Sequence, residues 1–66
     1  MRLTINGEDK NFDKELTLQE LLLKLDLTQK VMAAAVNMEI VKQIEWETYR
    51  LKDMDAIELL DFVGGG

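Results

Sequence analysis

Thr17-Leu18-Gln19-Glu20-Leu21-Leu22-Leu23-Lys24-Leu25 is the stretch on which the reading of this chain turns. Its first four residues fit a capping box. The Thr17 hydroxyl can accept from the Glu20 amide, and the Glu20 carboxylate can reach back to the Thr17 amide. Leu16 and Leu21 flank the cap at the positions of a hydrophobic staple. Leu18, Leu21, Leu22 and Leu25 then keep the i, i+3, i+4, i+7 spacing of one apolar helix face. A leucine stripe can fill a partner's groove or a protein's own core. With one long helix in the chain, the core is the expected destination.

Upstream of the helix, Met1, Leu3 and Ile5 alternate with Arg2, Thr4 and Asn6. That period of two predicts a half-buried strand. Asn6-Gly7 tolerates the positive φ of a tight hairpin turn, so a return strand is expected from about Lys10 to Leu16, with Phe12 as its inward anchor. Downstream, Val31 to Val36 is a short apolar run whose alanines suit helix or strand. Its length and the punctuating Asn37 favour a strand. Its small side chains would let the helix lie close over it. Ile40-Val41 reads as a further short strand. Ile44 to Tyr49 reads as an irregular helical turn with Trp46 partly buried, as a lid on the core or as a binding residue. Lys52-Asp53-Met54-Asp55 reads as a turn and Ala56 to Val63 as the last strand. A helix laid on one face of a mixed five-stranded sheet, an α+β arrangement, accommodates this order.

Composition narrows the function. The 66 residues make one small domain with a thin core and little room for a deep pocket. Apolar residues are 47% of the chain, too many for a disordered tail. No cysteine and no histidine are present, which removes the thiol nucleophile, the usual general base near neutral pH and the commonest metal ligands. Self-contained enzyme chemistry and a metal site are therefore not expected. Eight Lys/Arg against thirteen Asp/Glu leave a net charge of −5. That field repels a phosphate backbone and favours basic protein surfaces, although acidity also serves plain solubility. No apolar run approaches the roughly 20 residues that span a bilayer. The opening Met1-Arg2-Leu3-Thr4 lacks the apolar stretch of a signal peptide, so the cytoplasm is the expected compartment and no membrane is expected as a partner.

Gly64-Gly65-Gly66 ends the chain. A bare glycine tail can be a frayed terminus. It cannot cradle phosphate, because no helix follows it. Placed directly after a strand ending Asp61-Phe62-Val63, it can also be a thin thread of about 10 Å with a carboxylate at its tip. Lacking Cβ atoms, such a thread can enter a narrow channel and take up backbone angles barred to other residues. The expected division is a domain over residues 1–63 and a flexible tail over residues 64–66.

These pieces together resemble the thiamine-biosynthesis sulfur-carrier family over essentially the whole chain. The matching stretches are Asn6-Gly7-Glu8, Thr17-Leu18-Gln19-Glu20-Leu21-Leu22, Ala35-Val36-Asn37 before Glu39-Ile40-Val41, and Trp46. Leu51-Lys52-Asp53-Met54-Asp55-Ala56-Ile57-Glu58 and Phe62-Val63-Gly64-Gly65-Gly66 follow. Met38 departs from the small turn residue common there, and Met54 from the usual Asp-Gly-Asp; both departures bear on turn geometry. The resemblance implies a ubiquitin-like β-grasp fold, with first and last strands parallel at the centre of the sheet. It also implies that an E1-like adenylating enzyme uses ATP to activate the carboxylate of Gly66. A cysteine desulfurase or other persulfide donor then supplies sulfur, and the resulting thiocarboxylate serves thiazole formation by thiazole synthase. The chain would be carrier and substrate, not enzyme, with no bound cofactor. A molybdopterin-synthase small subunit and a ubiquitin-like modifier share the glycine end and stand as alternatives. The alternation in the last strand breaks at Leu60, putting Leu60 and Phe62 opposite Ile57 and Leu59. Leu60, Phe62, Val63, Gly64 and Gly65 are therefore the expected partner-binding residues beside Gly66.

Overall fold

The computed structural model describes residues 1–61. Strands β1 (Arg2–Ile5), β2 (Glu8–Asn11), β3 (Val31–Val36), β4 (Glu39–Val41) and β5 (Ala56–Asp61) form one sheet in the order β2-β1-β5-β3-β4. β1 and β5 are parallel at its centre, in the register Thr4↔Ala56 and Ile5↔Ile57, and the other pairs are antiparallel. The one α-helix among the described residues, α1 (Leu18–Lys24), completes this β-grasp, with a 3-10 turn at Gln43–Glu45.

The capping box of α1 is complete. Glu20 N donates to Thr17 Oγ1 at 3.1 Å, and Thr17 N donates to Glu20 Oε1 at 2.8 Å. At the other end, Asp26 sits at φ 60, and the amides of Asp26 and Leu27 bond back to the carbonyls of Leu23 and Leu22. This is a Schellman closure with an aspartate where glycine is usual. Seven residues are too few for a helix to hold alone. Leu18, Leu21 and Leu22 hold it instead, buried in one cluster with Leu3, Ile5, Ala34, Val36, Val41, Ile57 and Leu59 of the sheet. Each fully buried leucine contributes about 1.5–3 kcal/mol.

Two expectations need correction. The return strand runs over Glu8–Asn11, not from Lys10 to Leu16. A two-residue Asn6-Gly7 turn, with φ 49 and 86, starts the pairing at once with Ile5↔Glu8. The ladder then ends where its partner runs out, as Met1 and Phe12 exchange bonds of 2.7 and 2.8 Å. Phe12 does pack against the core, while the four β2 residues are exposed and suit an edge strand. Trp46 is more than partly buried. It is 2% exposed and plugs one end of the core. Its backbone carbonyl caps the Gln19 amide at 3.0 Å, so the irregular loop also anchors the start of α1.

The alanine run is a strand, but with a bulge. Val31 pairs with Asp61 and Ala33 with Leu60, leaving Met32 as the extra residue. That insertion is why Val31 and Ala34, three apart, both face the core. Of the three alanines only Ala34 belongs to that core; Ala33 and Ala35 are half-buried.

Candidate functional site: the open sheet face and the last strand

β5 sorts its side chains by strict alternation. Ile57 and Leu59 are buried beneath α1, whereas Glu58 and Leu60 stand on the opposite face. On that face Leu60 is 58% exposed, as the break in the sequence pattern predicts. Cross-strand pairing sets Leu60 beside Ala33, and Ala35 between Glu58 and Ile40. Ile40 is 72% exposed. Small alanine side chains between larger flanking ones leave an open groove of about 490 Å³, reached also by Asn6. An apolar floor with one carboxylate at its side suits docking of another protein.

The rest of the described chain offers little to catalyse with. No polar or charged side chain among the described residues is buried. Nor does any group of three or more acidic residues there form a metal-holding cluster. Asp9 is an ionisable group with a displaced pKa. A hydrogen bond from Arg2, another from Thr4 and the nearby Arg2 charge hold its carboxyl below the usual range. All three groups lie on the exposed side of the β1–β2 hairpin, and they order its surface.

The strand leading to the tail is tied down at both ends by asparagines. The Asn37 amide donates to Asp55 Oδ1 at 2.9 Å while its Oδ1 accepts from Ala56 N at 2.9 Å. At the other end, Asn6 Oδ1 accepts from Leu59 N at 2.8 Å, across 53 residues of sequence. Of the expected partner-binding residues, Leu60 is placed on the open face. Phe62, Val63, Gly64 and Gly65, and the chemical position Gly66, lie outside the described residues, as does the expected boundary between domain and tail. Asn6, Ala33, Ala35 and Ile40 were not expected at this site. Alternation in Val31 to Val36 could not reveal the alanines' facing, because the Met32 bulge resets the count. Asn6 gave only a turn signal.

Comparison with known proteins decides the family. The ThiS family model matches residues 3–66. The chain belongs to the ThiS family. This ThiS-family chain is 37% identical to the sulfur carrier protein ThiS of Bacillus subtilis, covering 97% of itself and 98% of that protein. It is 36% identical over its whole length to a thiazole synthase of Paramagnetospirillum magneticum, of which it spans only 20%. Its fold superposes on the crystal structure of the thiamine biosynthesis protein ThiS from Geobacter metallireducens with a TM-score of 0.83, at 36% identity and full coverage of both chains. A ThiS domain thus occurs both as a separate small protein and as one fifth of a longer thiazole synthase. No helix among the described residues is long and apolar enough to cross a membrane.

Proposed function

We infer that this chain is the sulfur carrier for thiazole formation in thiamine biosynthesis, and that Gly66 bears the sulfur. The observation that carries the reading is the ThiS-family match, which runs through residue 66 and so includes the glycine end. A carboxylate is a poor electrophile. An E1-like adenylating enzyme joins the Gly66 carboxylate to AMP at the expense of ATP and releases pyrophosphate. A persulfide sulfur from a cysteine desulfurase or similar donor then displaces AMP. A thiol reductant then cleaves its S–S bond to the donor, leaving a thiocarboxylate on Gly66 and a free thiol on the donor while the reductant is oxidised to a disulfide. Thiazole synthase is the acceptor partner, and the match to a longer thiazole synthase supports this choice over a molybdopterin-type acceptor. The carrier supplies no acid, base, metal or cofactor; ATP is consumed by its partner. The reading puts the protein in the cytoplasm, where ATP and persulfide donors meet.

In this reading Leu60, with Ala33, Ala35 and Ile40, forms the surface by which partners grip the domain while Phe62, Val63, Gly64 and Gly65 lead Gly66 to the reacting centre. Intact-mass measurement of the protein from its own host should show one sulfur in place of one oxygen at the C-terminus. Deleting Gly66, or amidating it, should abolish adenylation with the fold unchanged. An isopeptide remnant of this chain on other proteins, without the sulfur mass, would make it a modifier instead.

A further inference from the structure

We propose that Asn6 is a positioning residue for the reactive tail, holding β5 beside β1 at Leu59, upstream of the glycines. The proposal rests on the carrier reading of Gly66. The parallel seam between β1 and β5 includes Thr4 N bonding to the Asp55 carbonyl at 3.0 Å and Asn6 N to the Ile57 carbonyl at 2.9 Å. The next rung would join the Leu59 amide to a main-chain carbonyl of β1. That strand has ended, because Asn6 has turned to φ 49 to open the hairpin. The Asn6 side-chain carbonyl takes the vacant place and accepts from Leu59 N at 2.8 Å, in a partly buried setting.

One side chain therefore extends the central seam by a rung beyond its own strand. Two consequences follow at the root of the tail. Leu59 is held facing the core, so Leu60 is held facing the open groove; a slip of one residue would exchange them. Among the described residues Leu59 is also the last tied on the β1 side, while β3 pairs as far as Asp61. Gly66 lies seven residues beyond Leu59, a reach of at most about 25 Å. Whatever freedom enters at the root must be removed again each time the glycine is threaded into a partner. The role needs a short side chain with an acceptor three bonds from Cα on a residue that tolerates left-handed φ, which asparagine and aspartate satisfy.

Asn6→Gly separates this role from the turn, since glycine accepts the left-handed φ but offers no acceptor. Asn6→Asp restores the acceptor. Asn37→Gly is the control, removing the equivalent amide bond at the far end of β5. Each full-length variant is assayed by ATP–pyrophosphate exchange with the adenylating enzyme purified from the same host, and by amide hydrogen exchange. In Asn6→Gly the Leu59 amide should exchange at least about tenfold faster, while the α1 amides keep their protection. KM for the carrier should rise roughly five- to thirtyfold, the equivalent of re-fixing one residue's backbone on binding, with kcat unchanged. Asn6→Asp should return KM to within about threefold of the parent, and Asn37→Gly should leave it unchanged. A parental KM in Asn6→Gly, or an equal rise in Asn37→Gly, would overturn the positioning role alone. No exchange with the unmodified chain would overturn the carrier reading and this proposal with it.

Discussion

The indole Nε1 of Trp46 donates a 2.9 Å hydrogen bond to the main-chain carbonyl of Val41, inside the core. The bond joins the end of β4 to the loop that caps α1, and satisfies the indole's only polar atom where water is absent. Trp46→Ala should cost about 3–5 kcal/mol, comparable to the whole stability of so small a domain. Trp46→Phe refills much of the space but leaves the Val41 carbonyl short of a partner, and should cost about 1–3 kcal/mol. Urea titration followed by far-ultraviolet circular dichroism measures both, since the chain's one tryptophan is the residue removed.

Met38 and Met54 hold left-handed backbone, at φ 72 and 74, in exposed turns. A side chain in that region costs roughly 1–2 kcal/mol, part of which returns as lower unfolded-state entropy relative to glycine. Met38→Gly converts the β3–β4 turn to Asn-Gly, the pair such a turn favours. Met54→Gly does the same for the turn before β5. Each should stabilise by about 0.5–1 kcal/mol, which calorimetry would register as a Tm rise of a few degrees in a domain this size. A fall in Tm for either variant would contradict the backbone assignment at that turn.

Leu59 and Leu60 are adjacent and should respond oppositely. Leu59→Ala empties a core position and should cost about 2–5 kcal/mol of stability. Leu60→Ala removes an exposed side chain, and should leave Tm nearly unchanged while weakening binding to the adenylating enzyme or thiazole synthase by about 1 kcal/mol or more. Phe62→Ala is expected to act with Leu60 on binding. Calorimetric melts paired with titration against each purified partner separate the two residues.

Asp9 should titrate below the ordinary aspartate value of about 3.9, because the Arg2 guanidinium hydrogen-bonds its carboxylate, with Thr4 as a second donor. A carboxylate whose folded pKa is lowered contributes its stabilisation above the unfolded pKa and loses it as pH falls through the folded one. The effect is therefore full near neutrality and disappears in the acid range below about pH 4. Both side chains are more than half exposed, so the contribution is small and screened by salt. Carbon-detected NMR titration should show the Asp9 pKa rising in Arg2→Gln.

Local chemistry made much of the fold readable before any coordinates. The Thr17–Glu20 capping box and the leucine spacing specify α1 because cap and amphipathic period are properties of residues a few positions apart. The Asn6-Gly7 turn and the alternation of Met1 to Ile5 do the same for the opening hairpin. The break at Leu60 is likewise visible, since alternation fixes facing in an unbulged strand. Family resemblance, not periodicity, named the β-grasp topology and suggested the role proposed for Gly66. What required the tertiary structure were relations between distant residues. The end of β2 depends on where β1 stops, the full burial of Trp46 on how β4 and α1 converge, and the facing of Ala33 and Ala35 on a bulge at Met32 that their composition does not signal. Above all, Asn6 reads in sequence as a turn residue, with no sign of a partner in the last strand. Its hold on Leu59 exists only because the parallel pairing of β1 with β5 brings the first turn of the chain beside its last strand, and hydrogen bonds form between neighbours in space whatever their separation along the chain.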